Sequence, residues 1–285
     1  MRLRVLREPS SHVPTSLIDG RFRARAERAR RLATERPAVA ETLLFYAALL
    51  NVQETILRTR SVALHPDLPS SRPFVDGLDR AAMPAALREL IDGISRVAPA
   101  PAAQRLARVA IDRNDWAARI ESYWISAGRS ASEVADIERF VLFALLQPFA
   151  EAVALNVDVP PALESEMSRC PRCTANPLVA TLREQSHGAR RSLVCSFCLT
   201  EWPALRLLCL TCGEARFESL PVFRAEEYDS VRLDACESCR TYMKTIDLTR
   251  DGAALPVVDD LASLPLDLWA EDQGYRRATP NVWGM

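Results

Sequence analysis

Cysteine is missing before position 170 and after position 239, and lysine occurs only once, at Lys244. With only 9 glycines and with scattered prolines, the chain is neither collagen-like nor of low complexity. Long hydrophobic runs are missing too. Runs such as Phe140–Leu146 fall far short of the roughly 20 apolar residues a bilayer helix needs. No apolar stretch follows the basic start Met-Arg-Leu-Arg-Val-Leu-Arg, nor does one follow Arg30-Arg31, so no export leader is expected and the chain reads as cytoplasmic. A net charge of −1 gives no global reason to expect nucleic acid or an anionic membrane as partner. There is no His-Glu-x-x-His, no glycine-rich phosphate loop and no Gly-x-Ser-x-Gly elbow, so the sequence does not read as an enzyme. The three histidines, His12, His65 and His187, lie far apart, and His187 beside Gly188 reads as a hairpin tip.

What is present is concentrated. The 285 residues, 48% hydrophobic and 26% charged, suit a globular protein of two or three domains. All eight cysteines fall between positions 170 and 239 as four Cys-x-x-Cys pairs: Cys170/Cys173, Cys195/Cys198, Cys209/Cys212 and Cys236/Cys239. Two thiolates separated by two residues can face inward from one tight turn, and two such turns supply the corners of a tetrahedron around one ion. The stretch from Cys173 to Cys195 and the stretch from Cys212 to Cys236 are each long enough for an out-and-back hairpin, whereas the link from Cys198 to Cys209 is much shorter. Neighbouring pairs are therefore expected to share an ion: Cys170, Cys173, Cys195 and Cys198 on one, Cys209, Cys212, Cys236 and Cys239 on the other. Interleaved pairing is the alternative. Four disulfides would need an oxidising compartment, and a thioredoxin-like motif needs one such pair rather than four. Four thiolates suit zinc or a single rubredoxin-type iron. A [4Fe–4S] cluster fits less well, because its cysteines come in a tighter run.

Periodicity from about Asp19 to Leu155 is helical. Pro37 precedes a segment, Ala38–Arg58, that is apolar nearly all round and belongs at the centre of a bundle. Residues 59–83, with prolines and Ser70-Ser71, read as a loop. Further helices are expected from Pro84, over 101–110, over 115–125, and after a Ser130/Glu133 capping box, with Pro148 kinking or splitting the last. Residues 1–20 read as an irregular arm and Val157–Ser168 as a hinge. Beyond it come short β-like runs at Leu178–Leu182, Ser192–Val194, Ala204–Leu208, Phe217–Phe223, Val231–Leu233 and Tyr242–Leu248, then a helix over about Val258–Glu271. The expected architecture is α plus small β. A helical domain (1–165) precedes two rubredoxin-like or zinc-ribbon-like modules with four cysteines each (166–207 and 208–285), the second carrying the C-terminal helix. Each ribbon is too small to rely on its own core, so its ion supplies much of its stability. Residues 170–198 and 209–239 repeat one pattern of knuckle, strands, knuckle.

Cys170-Pro-Arg-Cys173, Cys195-Ser-Phe-Cys198 with Thr200-Glu201-Trp202, Cys209-Leu-Thr-Cys212-Gly213, Cys236-Glu-Ser-Cys239 with Thr241-Tyr242-Met243-Lys244, and Val258-Asp259-Asp260-Leu261-Ala262-Ser263-Leu264 follow in order. In these features the chain resembles the formate dehydrogenase accessory protein (FdhE) family. The resemblance is specific over 170–285; over 1–165 it rests on length and helical character. It implies a helical domain followed by two rubredoxin-like modules, iron as the favoured metal with zinc as the alternative, and a cytoplasmic role. That role is maturation or quality control of the catalytic subunit of respiratory formate dehydrogenase. Thr174 stands where glycine is common in the family, and Arg240 and Met243 vary within the Tyr-Lys segment; none of these removes a thiolate.

Two other functions compete: a rubredoxin-like electron carrier and a nucleic-acid-binding zinc ribbon. Residues 1–60 hold 12 Arg against 6 acids, while residues 214–272 hold 14 acids against 6 basic residues. An acidic second module repels phosphates, which disfavours nucleic acid. The acidic half is expected to dock on the chain's own basic first helix or to meet a basic partner. Tyr242 and Lys244, two apart on an expected strand, share one face, either a contact patch or a solvated strand. Asp259 and Asp260 suit a helix N-terminus, where acids cap free N–H groups; the resemblance also makes them candidates for partner contact.

Overall fold

The computed structural model describes residues 15–61, 64–65, 72–109, 115–129, 136–156, 168–186 and 188–284. His12, His187, the Ser130/Glu133 box and most of the expected arm and hinge lie outside them.

The N-terminal part is helical: α1 (Thr15–Glu35), α2 (Ala40–Thr59), α3 (Pro73–Asp76), α4 (Met83–Ser95), α5 (Ala100–Leu106), α6 (Trp116–Ser126) and α7 (Asp136–Ala154). The first helix thus begins inside the expected arm. On it, Phe22, Ala26, Ala29 and Ala33 form one buried stripe at helical spacing. The central segment is α2, with Leu43, Leu49 and Leu50 fully enclosed. The expected loop over 59–83 contains the short α3 and a 3-10 turn at Arg80–Ala82, started by Asp79, whose carboxylate accepts the Ala81 N–H at 3.0 Å.

Pro148 neither splits nor ends α7, which runs through it to Ala154. A proline at this position withholds the N–H that the Ala144 carbonyl would accept. Buried Gln53 on α2 supplies the substitute: its Nε2 donates to the Ala144 oxygen at 2.9 Å. Gln53→Leu is therefore expected to cost about 1–3 kcal/mol, the penalty of a buried unpaired carbonyl. In a Pro148→Ala background the restored N–H should make most of that loss vanish. Urea unfolding of the two single variants and the double variant checks this.

The C-terminal part is one sheet with two helices: β1 (Pro177–Gln185), β2 (Gly188–Cys195), β3 (Glu201–Pro203), β4 (Val222–Arg224), β5 (Val231–Cys236), β6 (Thr241–Asp247), α8 (Pro256–Ala262), α9 (Leu264–Asp272) and β7 (Arg276–Arg277). The strand order is β3-β2-β1-β6-β5-β4, with β7 on β6. The two knuckle-strand-knuckle repeats thus lie in tandem, three strands each, joined by the parallel pair β1–β6 (Ala180 opposite Thr245, Leu182 opposite Asp247). The edges of this order, β3 and β4, are three residues each, while the strands at the junction, β1 and β6, are nine and seven. An edge strand has a partner on one side only, and a short one leaves little unpaired backbone.

Three sequence expectations change here. Ala204–Leu208 is not a strand; the pairing stops at Pro203, and Leu205 and Leu207 are exposed. Phe217–Phe223 divides into a 3-10 turn at Phe217–Ser219 and the short β4. The single helix expected at the end is two helices meeting at Ser263, because Pro265 lacks an N–H for a continued helix and nearby carbonyls are engaged elsewhere, as described below.

One core runs through the helices and includes Cys170, Cys173, Cys195, Cys198, Phe197 and Trp202. A second lies where Val179, Val231, Leu233 and Ile246 of the sheet meet Leu266 and Ala270 of α9. The basic first helix does dock on the acidic C-terminal half. Arg28 forks to Asp259 (Nε to Oδ2, 3.1 Å) and Asp251 (2.6 Å), and Arg36 donates to the Ala262 carbonyl at 3.2 Å. Arg25 meanwhile pairs with buried Glu151 on α7 at 2.8 Å.

Candidate metal centres

Among the described residues two cysteine groups could hold a metal ion: Cys170, Cys173, Cys195 and Cys198, and Cys209, Cys212, Cys236 and Cys239, the sulfurs of each lying within 4.8 Å of one another. Neighbouring pairs come together; interleaving does not occur. Sulfurs at about 2.3 Å from a central ion would be about 3.8 Å apart in a regular tetrahedron. The cross-knuckle separations are 3.5 Å (Cys170–Cys198), 3.4 Å (Cys173–Cys195), 3.6 Å (Cys209–Cys239) and 3.7 Å (Cys212–Cys236). The donor set and its spacing fit a soft tetrahedral ion.

Each knuckle is built the same way. The residue after its second cysteine has left-handed backbone: Thr174 (φ 65°), Leu199 (φ 57°), Gly213 (φ 79°) and Arg240 (φ 55°). That turn lets the Thr174, Gly213 and Arg240 N–H groups each donate at 2.9 Å to the carbonyl of the first cysteine of the pair. Only glycine adopts this geometry without steric cost. At Thr174, Arg129 holds the residue by donating to its carbonyl at 2.9 Å and its hydroxyl at 2.6 Å. Backbone N–H groups also point at sulfur: Phe197 and Cys198 both donate to Cys195 Sγ, at 3.3 and 3.4 Å.

The thiols within a group differ. Hydrogen bonds from Cys173, Cys195 and Cys198 hold Cys170 far below the ordinary thiol range, while burial pushes Cys173 and Cys195 up. In the second group burial raises Cys209, but the Cys212 and Thr211 N–H groups outweigh it and bring the thiol down to about 7.

The surroundings differ more. All four sulfur residues of the first group are buried, and Phe197 between them packs on Trp124, Tyr123 and Phe74 of the helical part at ring distances of 5.7, 5.8 and 6.3 Å. In the second group Cys212 is exposed and Cys239 half-buried.

Tyr242, Lys244, Asp259 and Asp260, the candidates for partner contact, are all buried in the structure. Together they form an internal clamp. The Lys244 ammonium lies beside Asp267 and 3.3 Å from Asp260 Oδ1, and donates to the carbonyls of Asp260 (2.9 Å) and Ser263 (3.1 Å). It thereby caps the C-terminal end of α8, where a cation is favoured. Arg277 bridges Asp260 (2.7 Å) and Asp267 (3.0 Å), and the Tyr242 hydroxyl donates to Asp267 at 2.7 Å. Burial, with the Asp267 charge adding to it, keeps Tyr242 protonated. Asp259 does act at the helix start, accepting the Leu255 N–H at 2.7 Å, and it also receives Arg28. Period-two alternation places Tyr242 and Lys244 on one face; it cannot say that α8 and α9 cover that face. Asp267, Arg277 and Arg28 draw no notice in the sequence because no local spacing connects them.

Comparison with known proteins matches this picture. A family profile described as "FdhE, C-terminal domain" matches residues 207–283. A "Protein FdhE homolog" of Aquifex aeolicus is 38% identical over 154 residues, 52% of this chain and 53% of the relative, so the match spans about half the relative's length. The homologue of Pectobacterium carotovorum is 26% identical over 292 residues, 96% of this chain and 91% of the relative. The crystal structure of the FdhE protein from Pseudomonas aeruginosa superposes with a TM-score of 0.69 at 26% identity, covering 92% of this chain and 95% of that one. Residues 207–283 match the FdhE C-terminal domain, and in sequence and in fold the chain is similar to FdhE proteins along nearly its whole length.

Proposed function

We propose that this chain is an accessory protein for maturation of the catalytic subunit of respiratory formate dehydrogenase, working in the cytoplasm and holding two single metal ions, with iron favoured over zinc. The observation that carries this reading is the extent of the likeness to FdhE proteins, over helical part and cysteine groups alike. The two groups supply shape: each ion would pin a pair of knuckles and so fix the sheet against the helices. No catalytic residue is proposed. The client is a polypeptide rather than nucleic acid. No described helix is long and apolar enough to cross a membrane.

The test uses the tagged full chain in a host that makes respiratory formate dehydrogenase. Co-purification of the catalytic subunit is expected, together with loss of formate dehydrogenase activity when the gene for this chain is deleted. Absence of association and unchanged activity would together overturn the proposal. Elemental analysis of protein purified without air should find two ions per chain, with the red absorption of iron–thiolate bonds. A colourless, zinc-loaded protein would replace iron by zinc and remove the electron-carrier alternative.

A further inference from the structure

We infer that the two cysteine groups are inequivalent: the first is a closed structural site, and the second is an exchangeable site for a soft metal ion whose occupancy sets the order of residues 206–218. The inference rests on metal binding by both groups and is independent of which partner the protein serves.

Access is the first argument. Replacement of a bound ion proceeds by attack on the sulfurs one at a time, so it needs a sulfur that an incoming species can reach. Every sulfur residue of the first group is enclosed, and the aromatic cluster of Phe74, Tyr123, Trp124 and Phe197 closes over it. Opening that site requires opening the main core. The second group offers Cys212 directly to solvent, and Cys239 in part.

The second argument concerns what holds the third knuckle in place. Before it, the Ala204 N–H donates to the Arg191 carbonyl at 3.1 Å, and Arg191 Nη1 donates to the Leu205 carbonyl at 2.8 Å. After it, the Glu237 N–H donates to the Ser219 carbonyl at 2.9 Å. Between these anchors, among the described residues, one hydrogen bond between oxygens ties 206–218 to the rest of the chain: exposed Ser238 Oγ to Glu214 at 2.6 Å. The Arg216 and Phe217 carbonyls accept the Ser219 and Leu220 N–H groups of the adjoining turn at 3.0 and 3.1 Å, and the remaining polar ties run through sulfur. Cys209 faces Cys239 and, at 4.0 Å, the Thr241 hydroxyl, and Cys212 faces Cys236. Leu210 is only partly buried against the main core, and Leu207 and Phe217 are exposed (53% and 72%), so the segment gains little from burial. A segment with few buried contacts and few hydrogen bonds to the body of the protein opens at low free energy. The ion would supply most of its order. When the ion leaves, the four sulfurs take up protons and the cross-link is gone, while β5 and β6 keep their own ladder.

The experiment uses the full chain loaded with two equivalents of zinc. Cadmium in excess is added, and exchange is followed by the thiolate-to-cadmium absorption in the ultraviolet. One equivalent is expected to exchange at least about tenfold faster than the other, as a locally opening site does against one in the core. Iodoacetamide labelling with mass spectrometry should mark Cys209, Cys212, Cys236 and Cys239 before any of the first four. After removal of one ion by a chelator, hydrogen exchange should rise over 206–218 and stay low in β1 and β2. Cys212→Ser should hold one ion and keep the tryptophan fluorescence of the helical core. Exchange in a single phase, labels spread over both groups, unchanged protection of 206–218, or an unfolded Cys212→Ser would each overturn the inference. A chain that bound no zinc at all would instead sink the metal reading itself.

Discussion

Cys195→Ser is expected to abolish one metal ion and, with it, the cooperative tertiary structure of the chain. Cys195 is fully buried, accepts two backbone N–H groups and sits at the end of β2, so a hydroxyl there removes both a ligand and the anchor of its knuckle. Structural zinc sites contribute on the order of 10–16 kcal/mol in small metal-folded domains, as much as the whole stability of an ordinary domain. The loss cannot stay local, because Phe197 in that knuckle packs on Trp124. The expected signature is a red-shifted tryptophan emission and a broad, non-cooperative urea transition, with the ion count falling by at least one. An unchanged count and a sharp transition would show that this group is not a structural metal site. The contrast with Cys212→Ser, expected to spare the core, separates the two groups.

Lys244→Met should destabilise the protein by roughly 3–5 kcal/mol, the range for breaking a buried ion pair from one side. The substitution keeps most of the side-chain volume, so packing changes little. It leaves Asp260 and Asp267 with Arg277 as their one remaining cation, and it takes one donor from each of the two carbonyls at the end of α8. Metal content should stay at two, because Lys244 bonds to carboxylates and carbonyls and to no sulfur. Adding Asp267→Asn to Lys244→Met removes the surplus charge and should recover part of the loss. Urea unfolding at neutral pH of the parent and both variants reads these effects. A single variant as stable as the parent would mean that the lone lysine is dispensable to the fold.

Much of the metal-centre geometry is legible in the chain itself. Cys-x-x-Cys spacing is a local property: two positions between thiols set one turn, and gap lengths choose which turns meet. Gap lengths therefore favour two groups of neighbours over interleaving, and the structure brings neighbours together. Helical periodicity locates the central α2 for the same reason, since each turn reports its own burial. Pro148 does not split α7, because the N–H it lacks is replaced by Gln53 from another helix, which a reading of one helix alone does not see. Ala204–Leu208 fails because apolar residues suit a strand only where a neighbouring strand accepts them, and the sheet ends at β3.

Short-range spacing and residue type are enough to assign the donor chemistry, the pairing of knuckles and the helix-then-ribbon order. Three outcomes need the folded molecule: both repeats share one sheet, aromatic rings from the helices seal the first cysteine group, and Lys244 with its aspartates faces inward. Each of these depends on which distant surfaces meet. Burial is a property of such meetings, and neither spacing nor composition records it.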